Sequence, residues 1–345
     1  MTDPWLVVRA DKGAVLVVPA TGPATGEPVR VALDRDGLVA SVPDGPSDER
    51  ARLVPAVGDR VLLDDEGTTL VGLLPRRSAL VRDSAGRTSL TQVLAANVDV
   101  VLVVEHLDPD PDLGRVERLL TLAWRSGAQP VVVLTKADLV PDPAGMAQDV
   151  AQVALAVPVH AVSVTDDEGL EPLRALLTPG ATLVVVGPSG AGKSTLVNAL
   201  AGREVMATGE RRAGDGRGRH TTTHRELVPL PGGALLIDTP GIRAVGLVAD
   251  AAALEHTFAD VAEIAARCRF ADCAHTTEPG CAVRRALDDG ELTERRFTSW
   301  RKLEREAAYQ ERRADVRLAA AEKARWKRVT MDYHRGRRGP GAPRP

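Results

Sequence analysis

Aromatic residues are scarce in this chain. Two Tyr, three Phe and four Trp make up 3% of 345 residues, and Trp5 alone falls in the first 75. That scarcity argues against an N-terminal surface that stacks the bases of a single strand. The seven Lys/Arg against twelve Asp/Glu in the same stretch argue against a basic groove there. Cysteine is scarcer still: three, Cys268, Cys273 and Cys281, an odd number that speaks against a disulfide framework. No apolar run approaches the roughly 18 residues of a membrane span. The start, MTDPWLVVRADKG, lacks the basic-then-apolar order of a secretory signal. The expectation is a cytoplasmic protein with no membrane partner.

What is present is ordinary for globular domains, 44% hydrophobic and 26% charged, and the length suffices for two or three separate cores. The net charge of −3 conceals an asymmetry. From Glu291 onward there are 16 Lys/Arg against 8 Asp/Glu, so the first 290 residues carry −11. A basic end on an acidic chain suggests an anionic partner, nucleic acid foremost; the alternative is a solvated helical face with a charged tail.

Residues 1–75 hold short β-type runs, AVLVV, VRVAL, LVASV, DRVLLD and TLVGLL, between Gly, Pro and Asp turns, the pattern of a small antiparallel barrel or sandwich. A basic connector occupies 76–96. From Asn97 the period changes. The strand VDVVLVVEH precedes a helical stretch with Leu113, Val116, Leu119, Leu120 and Ala123 on one face. Further strands PVVVLTK, VPVHAVSV and ATLVVVG alternate with helices expected near 143–156 and 168–177. Strands ELVPL and ALLIDTP follow a glycine-rich loop, 207–222. This alternation predicts a mostly parallel sheet covered on both faces, over 97–248. Residues 249–330 read as helical around the cysteine cluster, and 331–345 as a basic tail too polar to pack.

GPSGAGKST fits the phosphate-loop pattern, comprising Gly187, Pro188, Ser189, Gly190, Ala191, Gly192, Lys193, Ser194 and Thr195. Its glycines let backbone N–H groups turn onto phosphates, Lys193 reaches the β- and γ-phosphates, and the Ser194 hydroxyl suits Mg²⁺. The base is chosen by TKAD: Thr135, Lys136, Ala137 and Asp138. The Asp138 carboxylate can accept from guanine N1–H and its exocyclic amine, donors that adenine lacks at that edge. The stem of Lys136 can lie across the ring. Ser163 and Val164 stand where a GTPase backs the guanine. Asp238 is placed to hold Mg²⁺ through water, and the Gly241 N–H to sense the γ-phosphate. The motifs run in the reverse of the usual order, as if a GTPase had been opened after Gly241 and its old termini joined through TPGA, 178–181. A kinase or ATPase leaves Lys136 and Asp138 without a use.

Many GTPases align the attacking water with a Gln just after D-x-x-G; here Ile242 occupies that place. GRGRHTTTHREL offers His220 as the substitute, with His224 the weaker choice, and Thr222 is favoured among Thr221–Thr223 as the switch hydroxyl for Mg²⁺. Cys268, Cys273, His275 and Cys281, spaced C-x4-C-x-H-x5-C, match a four-coordinate structural zinc site.

Together QVLAANVD, VLTKADL, GPSGAGKSTL, GRGRHTTTHREL, DTPGIR and the cysteine cluster resemble the ribosome small-subunit-dependent GTPase A family over nearly the whole chain. The resemblance implies an N-terminal OB-fold β-barrel, a circularly permuted α/β P-loop GTPase domain and a mainly α zinc-binding C-terminal domain. It implies weak GTP hydrolysis stimulated by the small ribosomal subunit and its rRNA late in maturation, and it places His220 at the family's catalytic histidine. A monomer is expected. The alternative is an rRNA-binding assembly module whose GTP is structural. Thr135 stands where Asn is commoner, and Val164 where Ala is usual.

Overall fold

The structure is a computed structural model and describes residues 3–11, 13–20, 26–33, 54–82, 92–206, 225–238 and 250–310. Five N-terminal strands, β1 (Trp5–Asp11), β2 (Ala14–Pro19), β3 (Val29–Ala32), β4 (Arg60–Leu63) and β5 (Leu70–Leu73), pair antiparallel in the order β3-β2-β1-β4-β5. That is the order of a partly open Greek-key barrel, the OB-fold. Val7, Val15, Val17, Val31 and Val61 line its interior with Leu63, Leu70 and Leu73. The sequence runs missed β1. Its successive valines are both buried, Val7 in the barrel and Val8 in the central core, so the strand shows no clean alternation. The run LVASV lies outside the described residues.

The connector 76–96 contains β6 (Ala79–Arg82) and β7 (Gln92–Ala96), paired antiparallel, with Leu80, Leu94 and Ala95 in the central core. The central sheet follows. Strands β8 (Val100–His106), β9 (Gln129–Thr135), β10 (Val159–Ala161), β11 (Thr182–Val186) and β13 (Leu235–Asp238) run parallel, and β12 (Arg225–Pro229) closes the row antiparallel. Their order is β10-β9-β8-β11-β13-β12. Helices α1 (Leu113–Ser126) and α2 (Pro143–Ala151) cover one face, α3 (Glu171–Arg174) and α4 (Lys193–Ala201) the other. Burial on both faces explains why β8 and β9 are nearly continuous in valine and leucine.

Helix α1 begins where the Asp112 carboxylate accepts from Arg115 N and stops at Gly127, φ 80°. Helices α2 and α3 are shorter than the sequence pattern suggested. Ala156, φ 56°, and Gly169, φ 71°, hold left-handed conformations that a right-handed helix does not take. The joint at 178–181 is a tight turn closed by Ala181 N donating to Thr178 O (3.0 Å), and it is tied to 233–235 by Gly180 N to Gly233 O (2.9 Å) and Leu235 N to Ala181 O (2.8 Å).

The barrel is continuous with this sheet. β1 also pairs with β12, Arg9 opposite Glu226 and Ala10 opposite Arg225. Gly58, φ 91°, approaches so closely that a Cβ there would lie 2.1 Å from Ala96 O and 3.1 Å from Ile237 Cδ1. The C-terminal helices α5 (Ala251–Thr257), α6 (Ala259–Ala265), α7 (Ala282–Asp288) and α8 (residues 294–310) gather around Leu254, Phe258, Val261, Ile264, Val283 and Leu303. They meet the central domain at α1. Among the described residues no helix is long and apolar enough to cross a membrane.

Candidate nucleotide and metal sites

The phosphate loop leaves the middle of the sheet. After β11 the chain turns at Gly187, φ 148°, where a Cβ would fall 2.1 Å from Val104 O on the neighbouring strand β8. Glycine alone permits that approach. Gly190 and Gly192, φ 85° and 74°, continue the curl, and α4 starts at Lys193. The Lys193 ammonium folds back to donate to Pro188 O. Ser189, Gly190 and Thr195 are exposed, Ser194 is half-buried and Ala191 is fully buried. The result is a cup of backbone N–H groups at a helix N-terminus, suited to phosphate. At the far end of α4 the Asn198 amide ties off the chain, accepting from Val205 N and Met206 N and donating to Met206 O.

The T-K-x-D motif ends β9, two strands away across β8. It nevertheless touches the phosphate loop. Thr135 Oγ1, in a buried side chain, lies 2.8 Å from Ala191 O in the phosphate loop and 3.2 Å from Glu105 O on β8, so its one proton is shared between loop and strand. A Cβ on Gly192 would meet the same Thr135 Oγ1 at 3.3 Å. Lys136 takes a left-handed conformation, φ 62°, which sends the next residues into a 3-10 turn, Ala137–Leu139. Its ammonium donates to Asp108 O at 3.1 Å, and Ala137 N donates to Val162 O at 3.1 Å. Ser163, buried after β10, donates to Asp138 Oδ1 (3.1 Å) or Asp166 Oδ2 (3.0 Å) and accepts from Asp166 N. This hydroxyl fixes the Asp138 carboxylate from behind. Val164 is half-buried against the α3–α4 core.

Asp238 ends β13, beside the phosphate-loop strand and opposite Glu226. Its side chain, and His220, Thr222, His224, Gly241 and Ile242, lie outside the described residues. One contributor was not anticipated from the motifs, the main chain of Asp108 between β8 and α1. A backbone carbonyl has no residue-type signature.

The second site is in the C-terminal unit. Cys268, Cys273, His275 and Cys281 bring their donor atoms within 4.8 Å of one another. His275 Nδ1 lies 3.6 Å from both Cys268 Sγ and Cys281 Sγ, and those sulfurs are 3.9 Å apart. A tetrahedral ion with ~2.3 Å sulfur and ~2.0–2.1 Å nitrogen bonds needs edges of about 3.8 and 3.6 Å. The four donors therefore fit a metal ion, and the sulfur separation is far beyond a disulfide bond. Burial disfavours the Cys268 thiolate, but the N–H groups of Val283 and Ala282 and the neighbouring thiols outweigh it and lower its pKa. Burial pushes the Cys273 thiol up to about 11 when no cation is present. Burial, then the nearby Arg301, lowers the His275 pKa and keeps the imidazole neutral, as a ligand must be. The ring packs at 5.6 Å on Trp300, and the Glu278 carboxylate gathers the loop by accepting from Thr276 N, Thr277 N and Ala274 N.

A phosphate loop on the central strand and a T-K-x-D loop bonded to it from two strands away, met in reversed order along the chain, define a circularly permuted P-loop GTPase. The chain belongs to the RsgA GTPase family, whose model matches residues 73–248, and it is a GTP hydrolase. The small ribosomal subunit biogenesis GTPase RsgA of Streptomyces avermitilis is 51% identical over 297 residues, covering 83% of this chain and 80% of the relative. That of Streptomyces coelicolor is 47% identical, covering 94% and 86%. Among solved structures, YjeQ from Thermotoga maritima aligns with a TM-score of 0.62 at 25% identity, covering 89% of this chain and 99% of that one. YloQ, described as a circularly permuted GTPase, aligns with a TM-score of 0.60 at 22% identity over 90% and 96%, a likeness of fold.

Proposed function

We propose that this GTPase binds the small ribosomal subunit and hydrolyses GTP late in the subunit's maturation, with turnover raised by the subunit. The names of its relatives support the ribosomal role, and the 2.8 Å bond from Thr135 to Ala191 supports one guanine nucleotide spanning both motifs. Asp138 and Lys136 read the base against Ser163 and Val164. The 187–192 amides and Lys193 grip the phosphates, and Ser194, Thr222 and Asp238 are the residues that would hold Mg²⁺ with them. Gly241 N–H senses the γ-phosphate, and His220 orients the water that Ile242 cannot. The products are GDP and phosphate.

The ion of the C-terminal unit is zinc on this reading. Three thiolates and one imidazole filling four positions are the donor set of a closed structural site. The chain divides into a barrel, 1–75, a connector, 76–96, the GTPase domain, 97–248, the metal-binding unit, 249–330, and a basic tail, 331–345. It works as a cytoplasmic monomer. The barrel, with one aromatic and an acidic balance, is a poor single-strand binder, so contact with rRNA rests on local shape, the 76–90 connector or the basic C-terminal helix. An assembly module with inert GTP is the less favoured alternative, because family membership speaks for hydrolysis.

Phosphate release from GTP, measured with and without purified small subunits, tests this proposal. The subunits should raise turnover at least tenfold, and His220→Ala should abolish the stimulated rate while GDP still binds. An unchanged rate on adding subunits removes the ribosomal role.

A further inference from the structure

The end of β8 and the segment that joins it to α1 carry no recognised motif, yet they flank the T-K-x-D loop, and β8 brings to this end a fully buried carboxylate, Glu105. Arg115, in the first turn of α1, grips Glu105 with both arms of its guanidinium, Nε to Oε2 at 2.7 Å and Nη2 to Oε1 at 3.1 Å. His106 Nε2 lies 3.5 Å from the same carboxylate. A cation in the first turn opposes the helix dipole, and its contact with the exposed N-cap Asp112 is long, 3.6 Å, so the buried Glu105 is the chief partner of Arg115. What the pair does is brace the ends of the loop against each other. Within the loop, His106 Nδ1 and Pro109 O are 2.9 Å apart, Leu107 N donates to Thr135 O at 3.0 Å, and Asp108 O receives the Lys136 ammonium at 3.1 Å.

We propose that the Glu105–Arg115 pair is the positioning device for Lys136: by pinning the loop it holds the Asp108 carbonyl where that carbonyl anchors the ammonium, so that the lysine stem is laid out beside Asp138 before nucleotide arrives. Lysine is among the most freely rotating side chains, and ordering it in advance removes a cost otherwise met on binding. A bidentate guanidinium on a buried carboxylate gives the rigidity that an exposed loop lacks. The inference rests on the assignment of Lys136 to the guanine ring.

A double-mutant cycle tests it. GDP affinity is titrated with a fluorescent GDP analogue for the full chain, Arg115→Met, Lys136→Met and the double variant. Arg115→Met should weaken binding about threefold to tenfold, the value of one ordered long side chain. On the Lys136→Met background the same change should cost less than twofold. An equal loss on both backgrounds marks Arg115 as merely structural and overturns the proposal, as does no loss in the otherwise natural chain. If Lys136→Met itself leaves GDP affinity unchanged, the assignment of Lys136 fails; if it weakens binding while Arg115→Met does not, the positioning role alone fails. Glu105→Gln, which keeps the shape of the side chain, gives the same readout if Arg115→Met does not fold.

Discussion

On one flank of the GTPase sheet, β1 of the barrel hydrogen-bonds to β12 and buries Val8, Val18 and Val57 in the same core as Val101, Val103, Val184 and Ile237. On the other flank, the C-terminal helices keep an apolar core of their own and reach α1 largely through charge. Glu117, fully buried on α1, accepts from Arg296 Nη1 at 2.7 Å and Arg295 Nη2 at 2.9 Å. Arg296 also holds Asp260, donates to Thr257 O and Val153 O, and lies 4.4 Å over the Phe258 ring. Arg118 and Glu306 form an outer bidentate pair, and Trp124 stacks on His256.

Apolar contact is non-directional, so the barrel junction is adhesive and largely indifferent to salt. A buried ion network is the reverse. Desolvating its charges offsets much of the attraction, while its hydrogen bonds accept one geometry. The barrel is thus continuous with the GTPase core, whereas the C-terminal unit has its own core and is held in one orientation against the helix that follows β8.

The largest expected effect is at the ionic junction. Arg296→Met leaves the buried Glu117 with the half-exposed Arg295 alone and takes the guanidinium from Asp260, Thr257 O and Val153 O, so it should cost about 3 kcal/mol, near the usual loss when half of a buried pair is removed. Urea denaturation would show it as earlier release of the C-terminal helices with the barrel intact. Replacing Glu117 and Arg296 together by Leu and Met should recover most of that loss, making this flank resemble the other. Next comes the apolar flank. Gly58→Ala adds a Cβ against Ala96 O in a left-handed conformation and should cost on the order of 2 kcal/mol. Its signature is faster proteolysis of the barrel, with the C-terminal unit unaffected. The smallest is Arg118→Met. That half-exposed pair is worth under about 1 kcal/mol, and the difference in melting temperature should fade as salt is added.

The site was more legible in the sequence than its surroundings were. Gly187, Gly192, Lys193 and the cysteine spacing announce themselves because phosphate and metal chemistry permit few residue types at those intervals. The reversed order of TKAD and GAGKS already implied a GTPase opened after Gly241, and the mostly parallel sheet, with the two loops bonded to each other, agrees with it. By contrast, β1 hid because both its faces are buried, and the strands of the 76–96 segment hid among Arg and Ser. The expected helices at 143–156 and 168–177 could not be complete because Ala156 and Gly169 take left-handed conformations, which their residue types do not announce. The Glu117 and Glu105 pairs join residues 179 and 10 positions apart; Glu105 shows in the sequence only as an acid at the end of an apolar run, and Glu117, beside Arg118 on a helix, not at all.

The central claim is that Asp138 and the phosphate loop grip one guanine nucleotide although the chain visits them in reverse. The relative affinity of Asp138→Asn for GDP and xanthosine diphosphate tests it most directly. An asparagine amide can donate to the C2 oxygen of xanthine but loses the carboxylate that guanine needs. The account predicts GDP affinity falling at least a hundredfold while the xanthine nucleotide becomes the tighter ligand. GDP binding that survives the substitution, with no gain for xanthine, would contradict it.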